Sequence, residues 1–201
     1  MISSKEDMNY YIQCDLKSLN KYPLRFRDHI ESLICPTIWK FEIKLRKTEY
    51  YLNCKANGRF TKLIALYKKK RTENYGRKLG YTIMPNTIGP GLCLCHRGTV
   101  IINGGANIGS NARIHADVNI GNFARSGALG EEYVPCIGNN VYIGPGVKMF
   151  GRISVGNDVA IGANAVVNHD IPDHVTVVGV PARIINNDGS ENLLIHGDKR
   201  Y

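Results

Sequence analysis

The residues best suited to chemistry gather at a few places in the second half of the chain. Cys93, Cys95 and His96 stand within four positions of one another, with Gly98 following, and His115 and Asp117 come about twenty positions later. An imidazole with its ordinary pKa near 6.5 can accept a proton at neutral pH or, uncharged, ligate a metal. The Cys-x-Cys-His run invites a zinc reading, but closed zinc sites ordinarily draw on two Cys-x2–4-Cys pairs. A thiolate nucleophile at Cys93 or Cys95 competes with the plainer reading of thiols packed in a turn. A third group lies in the segment 126–136, SGALGEEYVPC, where Glu131, Glu132 and Tyr133 are adjacent. His29 and His196 lie outside any motif. No metal is expected.

What must hold these residues is a repeat of six. Ile102, Ile108, Ile114 and Ile120 are six apart, and Ile137, Ile143, Met149, Val155, Ile161 and Val167 resume the spacing. A second series of small or aliphatic residues runs four positions later, from Ala106 and Ala112 to Val159 and Ala165. Glycine follows the aliphatic residue at 89, 109, 121, 138, 144, 156 and 162. A period of six is neither the 3.6 of a helix nor the alternation of one long strand. It fits a short strand and a turn, repeated, three to a coil of about 18 residues, with the coils stacked as a parallel β-helix. The spacing breaks twice. From Leu94 to Ile102 it is eight, which puts two extra residues near Val100-Ile101. From Ile120 to Ile137 it is 17, one short of three units, and 126–136 leaves the coil as a loop. In a rigid solenoid such an excursion is a natural seat of function. One coil plus the two inserted residues brings residue 116 over residue 96.

The rest of the chain is a different material. Of its 201 residues, 26 are Lys or Arg and 17 Asp or Glu, a net charge of +9. Residues 1–80 hold 18 basic and 8 acidic residues, net +10, while 81–201 hold 8 and 9, net −1. Apolar spacing of three and four predicts helices in 6–71, broken at Pro23, Pro36 and Asn57-Gly58. The division expected is a basic helical part at 1–80, a β-helix at 81–185 and a loose tail at 186–201. Lys68-Lys69-Lys70-Arg71 is the densest basic patch. It reads either as a solvated face or as an address toward an anionic surface, such as the inner face of a membrane. It carries no nucleic-acid-binding motif. No run of about 18 apolar residues exists, residues 1–11 lack the apolar core of a secretory signal, and six unpaired-looking cysteines fit a cytoplasmic setting.

The hexapeptide run, Leu94-Cys95-His96 with Gly98, the 126–136 excursion and the closing Gly179-Val180-Pro181-Ala182-Arg183-Ile184 together resemble the serine O-acetyltransferase family. That family is a branch of the hexapeptide-repeat acyltransferases. The resemblance covers about residues 81–185. It implies a left-handed parallel β-helix below an N-terminal α-helical part, a hand opposite to the ordinary crossover rule. It implies acetyl-CoA as donor and three-fold association, with active sites between protomers. His96 falls on the family's general base, which removes the proton from the acceptor hydroxyl. The Ile161-Gly162-Ala163 and Ile143-Gly144-Pro145 corners fall where the pantetheine arm lies, and Arg183 near the nucleotide end. Pro145 replaces the family's alanine and removes an N–H donor, and Arg125 stands where a lysine is frequent.

The acceptor side departs from the family. Cys95 replaces the aspartate before the base, which helps to hold serine. Tyr133-Val134-Pro135-Cys136-Ile137 replaces Arg-His-Pro-Lys-Ile, so an arginine and a second histidine that touch substrate are absent. The aspartate that orients the base aligns with Tyr81, or with Thr82 if the register slips. Substrate contacts are accordingly assigned to Cys95, Tyr133 and Glu131, and the missing carboxylate to Asp117, with Glu131 or Glu132 as alternatives. These changes favour a sugar of a surface polysaccharide as acceptor, with L-serine as the rival. Two further readings are a zinc enzyme like the γ-type carbonic anhydrases, with His96 and His115 as two ligands, and a scaffold without catalysis.

Overall fold

A computed structural model describes residues 1–122 and 133–198. Helices α1 (Lys5–Ser18), α2 (Phe26–Ile34), α3 (Ile38–Tyr50) and α4 (Arg59–Arg77) occupy the first part, with a single π turn at Tyr51–Lys55 prolonging α3. Their breaks fall at Pro23, Pro36 and Asn57-Gly58, where a missing N–H or a freely turning backbone stops a helix. Ser4 caps α1 by accepting the Asp7 N–H.

Beyond Gly80 the chain winds through three parallel sheets. The first contains β1 (Tyr81–Ile83), β3 (Val100–Ile102), β6 (Val118–Gly121), β9 (Lys148–Phe150) and β12 (Val166–Val167). The second contains β4 (Asn107–Ile108), β7 (Cys136–Ile137) and β10 (Ser154–Val155). The third contains β2 (Cys93–Leu94), β5 (Arg113–Ile114), β8 (Tyr142–Ile143), β11 (Ala160–Ile161), β13 (Thr176–Val178) and the antiparallel β14 (Arg183–Asn186). The chain visits the sheets in rotation, so each circuit is one coil of a three-sided parallel solenoid. The aliphatic repeat fills it: Leu94, Ile114, Ile143, Ile161 and Val177 are all buried in one column. Positive-φ asparagine and aspartate turn the corners and bond to one another from coil to coil, as from Asn111 to Asn140 and from Asn140 to Asp158, each at 2.9 Å.

Three sequence expectations need correction. The two extra residues do not sit at Val100-Ile101, because Val100 and Ile102 keep full register with Tyr81 and Ile83 below and Val118 and Ile120 above. They lie in the turn 95–99, outside the buried strands. Second, the gap of 17 is not three units less one. Ile120 pairs with Met149 at a separation of 29, whereas Ile143 pairs with Ile161 at 18, so the excursion adds eleven residues to one ordinary step. Third, the tail is not loose as far as residue 198. Asp198 exchanges two backbone bonds with the Asn111 amide, at 2.8 and 2.9 Å, and its carboxylate accepts from Tyr10. Ser190 is buried.

The helices close one end of the solenoid. Arg46 on α3 is fully buried between Asp15 of α1 (2.7 Å) and Glu49 (3.1 Å), and it donates to the carbonyls of Ile88 and Gly89 in the first coil. Asp15 accepts the N–H groups of Gly91 and Leu92, Glu49 that of Asn86, and Ser18 donates to the Gly91 carbonyl. Glu42 accepts the Leu94 N–H at 3.1 Å, while its second oxygen has no partner among the described residues. Burial, together with the nearby Asp15 and Cys93, pushes the Glu42 carboxyl well above its ordinary 4.5, so the fold favours its neutral form. The unfolded chain gives up this proton above 4.5 and the folded chain keeps it, so Glu42 costs more stability as pH rises past that value. Glu42→Gln, uncharged and still able to accept from Leu94, is expected to raise the Tm at about pH 8, with the gain shrinking toward pH 4.5. Thermal melts of both proteins across that range check it.

Candidate active site

His96 stands on the lengthened turn between β2 and β3. Leu94 ends β2 fully buried and Val100 restarts the coil, so the intervening residues have more chain than a corner needs, and His96 is carried out exposed. Three bonds hold the turn. Tyr81, buried against Phe41 with ring centroids 5.2 Å apart, donates its phenol O–H to the His96 carbonyl at 2.8 Å. The Gly98 N–H donates to the Leu79 carbonyl at 2.9 Å. Arg97 donates through Nη2 to the Pro36 carbonyl at 2.6 Å, tying the turn to the α2–α3 connection.

The register of the third sheet then builds an edge. Residues one place beyond the buried column are Cys95, His115, Gly144, Gly162 and Val178; one place further come Ala116, Pro145 and Ala163, with His96 on the lengthened turn at their head. Past the lengthened turn it is Gly98 that lies against Ala116, a Cβ there coming within 3.0 Å of the Ala116 Cβ, so the expected stacking of residue 116 on residue 96 is corrected to residue 98. Two coil steps at roughly 4.8 Å separate Ala116 from Ala163, about 10 Å. His115 stacks between His96 and Tyr142, with ring centroids at 5.7 and 5.1 Å. Its Nε2 is buried without a partner among the described residues, and burial, Arg113 and His96 lower its pKa below 6.5, so it is neutral at pH 7.

The predicted site residues fare differently. Asp117, at φ +62, sits on an exposed corner and pairs with Lys148 at 3.0 Å. The carboxylate expected to orient the base is therefore engaged elsewhere. Tyr81, in the family aspartate's position, reaches the backbone of His96. Cys95 is half-buried with its thiol toward the Cys93 carbonyl. The Cys93 thiol is pushed far up by Cys95 beside it and by burial, which disfavours a thiolate nucleophile there. Tyr133 is exposed, and Glu131 and Glu132, like Arg125, lie outside the described residues. Gly144 has a packing reason of its own, since a Cβ there would come within 2.8 Å of the Ile161 carbonyl. Gly162 likewise faces Val178, whose strand partner is Arg183. Gly162, Ala163 and Arg183 thus meet at one end of the third sheet, where Ala163 and Arg183 are exposed. Among the described residues no group of three His, Cys, Asp or Glu is placed to hold a metal. Sequence reasoning did not single out Arg97, two positions after Cys95, or Trp39 and Thr37, which come beside Cys95 only through tertiary packing.

This arrangement puts an exposed imidazole at the head of an edge lined by small residues, suited to a base working on an extended ligand. No family model matches the chain. Among curated proteins, a serine acetyltransferase of Helicobacter pylori is 30% identical over 190 residues, covering 94% of this chain and 99% of that protein. The chain belongs to the serine acetyltransferase family. A crystal structure of serine acetyltransferase from Vibrio cholerae matches with a TM-score of 0.72 and 26% identity, covering 98% of this chain and 72% of that one. A serine acetyltransferase in complex with CoA matches with a TM-score of 0.66 and 26% identity, over 90% of this chain and 71% of that one. As a serine acetyltransferase family member the chain is an acetyl-CoA-dependent acyltransferase. No helix among the described residues is long and apolar enough to cross a membrane.

Two substitutions separate the roles around the base. Tyr81→Phe removes one buried hydrogen bond and should cost about 0.5–1.5 kcal/mol of stability. By loosening the His96 turn it should also lower kcat by up to about tenfold, with the donor KM unchanged. Asp117→Asn should leave kcat/KM within about twofold of wild type, because an exposed ion pair contributes little. Steady-state kinetics with melting curves measure both.

Proposed function

We propose that the chain moves the acetyl group of acetyl-CoA to the side-chain hydroxyl of L-serine. His96 takes the hydroxyl proton, the oxygen attacks the thioester carbonyl, and CoA leaves as its thiol. The observation that carries this reading is the end-to-end match with a protein named serine acetyltransferase, helical part included, with His96 exposed at the head of the small-residue edge. The acetyl and pantetheine arm would run from His96 along Ala116 and Pro145 to Ala163, with Arg183 toward the nucleotide. The oxyanion would be met by backbone N–H groups of these corners. In this reading residues 1–80 are a helical cap and 81–185 the left-handed catalytic coil, three copies of which associate in the cytoplasm.

A sugar hydroxyl of a surface polysaccharide is the second reading. It was favoured by the sequence, and what still supports it is the replacement of acceptor-side residues by Cys95, Tyr133 and Tyr81. The names of the relatives carry L-serine ahead of it. The exposed apolar residues Phe26, Leu33 and Ile34 of α2 and Phe60, Leu63 and Tyr67 of α4, beside the basic surface, fit contact with an anionic membrane or with a second protomer.

The test is release of CoA thiol from acetyl-CoA with L-serine, set against a panel of sugars. Turnover with L-serine, lost at least about a hundredfold in His96→Ala, is the expected result. Turnover with a sugar and none with L-serine would replace the first reading by the second.

A further inference from the structure

Helix α4 reverses the usual arrangement of a surface helix, which buries its large apolar residues. It buries Ala65, Thr72 and Gly76 and turns Phe60, Leu63, Leu66 and Tyr67 to solvent, with Phe60 74% and Leu63 64% exposed. At Gly76 the approach to α3 admits no side chain, since a Cβ there would come within 2.9 Å of the Phe41 ring. Thr72 meets Thr48 of α3 hydroxyl to hydroxyl at 2.8 Å. Phe60, Leu63 and Tyr67, three and four apart, form one outward stripe. The rest of the helix is basic, with seven Lys or Arg against one acid, Glu73, which stands 3.9 Å from Lys70.

The stripe runs into a cationic cleft between α3 and α4. Two hollows of about 110 and 200 Å³ share Lys44 and Arg71 as lining. Lys47, Lys68 and Tyr67 also line the first, and Lys78 the second. None of these five cations has a carboxylate partner among the described residues. Lys44, Lys68 and Arg71 lie instead over the rings of Tyr75, Tyr51 and Tyr67, at 5.3, 4.2 and 5.7 Å. Burial, with Arg71, Lys40, Lys47 and Lys68 nearby, pulls the Lys44 ammonium below its ordinary 10.5. Such a cluster repels itself, and an anion in the cleft relieves the repulsion.

We infer that this face docks on an anionic lipid bilayer, with lipid phosphates in the cleft between Lys44 and Arg71 and with Phe60, Leu63 and Tyr67 among the upper carbons of the acyl chains. A soluble phosphate would answer the cleft and leave Phe60 and Leu63 bare. A second copy applied here would set seven basic residues against seven. The bilayer answers both features, with phosphate at its surface and hydrocarbon beneath. Lysine and arginine suit that depth, being apolar along the stem and charged at the tip. The helix lies along the surface, as no described helix can cross. The inference chooses between the two contacts named above and does not depend on which hydroxyl is acetylated.

The test is flotation of the full chain with vesicles of phosphatidylcholine alone and of phosphatidylcholine mixed with phosphatidylglycerol. Binding to the mixed vesicles, at least about tenfold tighter than to the neutral ones, is the expected result. Raising salt from about 0.1 M to about 1 M, which shortens the screening length to roughly 3 Å, should weaken it at least about tenfold. Lys68→Ser with Arg71→Ser should weaken it at least about tenfold, and so should Phe60→Ser with Leu63→Ser. All four positions are outside the buried core, and melting curves check that both double variants fold. Equal binding to the two vesicle types, or none to either, overturns the inference. So does unchanged binding of Phe60→Ser with Leu63→Ser, which would leave the stripe outside the bilayer. If inorganic tripolyphosphate binds while the vesicles do not, the cleft takes a soluble anion and the inference fails. If Phe60→Ser with Leu63→Ser lowers the sedimenting mass of the protein alone and vesicles do not bind, the face joins two copies and the inference fails. No arm needs turnover, so failure here leaves the acetyl-transfer reading untouched. Should a double variant not fold, the two vesicle types and the salt series on the unaltered protein decide alone.

Discussion

Seven backbone groups at the open end of the first coil have nowhere to bond within the solenoid. Ile88 and Gly89 present carbonyls, Asn86, Leu92 and Leu94 present N–H groups, and Gly91 presents both, and all seven are met by Arg46, Asp15, Glu49, Ser18 and Glu42 of the helices. An exposed strand edge is a template for unwanted pairing, and a buried one without partners costs about 1–3 kcal/mol per group. Buried charge is costly too, and an ion pair in the interior is weak evidence of stability. Here its role is positional. Arg46, held by two carboxylates, fixes α1 and α3 against one coil and no other, because only the terminal coil has free groups to offer.

The catalytic turn inherits its position from that junction. Glu42 holds the N–H of Leu94, two residues before His96, and Phe41, one helix position away, supports the Tyr81 ring whose phenol holds the His96 carbonyl. Arg97 closes the other side on Pro36. The base is therefore set by the helical cap and the solenoid together. On the solenoid side the same turn begins the edge that descends through Ala116 and Pro145 to Ala163. On the helical side it borders a cavity lined by Trp39 and Thr37.

Much of this was legible in the residues. The sixfold spacing predicted the columns and the prolines predicted the helix ends, while the count of one coil plus two missed that residue 116 lies against Gly98 and not residue 96. Those signals are local: a strand or a break depends on neighbours within a few positions. What misled was information about partners. Asp117 has the right type and register to serve His96, yet Lys148, 31 positions on, takes it. The apolar residues of α2 and α4 have helical spacing, but Phe26, Leu33, Phe60 and Leu63 face outward. Periodicity says which residues share a face and leaves unstated what the face meets.

The sequence by itself determined the architecture and marked the candidate base: a repeat of six closes into coils because each unit buries one aliphatic residue, and His96 stands out by its place beside that repeat. Only the tertiary structure decided what surrounds the base. Tyr81 became a brace for its backbone, Asp117 left for Lys148, and Trp39, Thr37 and Arg97 converged on one cavity from elements 60 positions apart. Such convergence follows from how the helices dock on the first coil, through side chains whose bonds are long-range in the chain, and no spacing in the sequence encodes it.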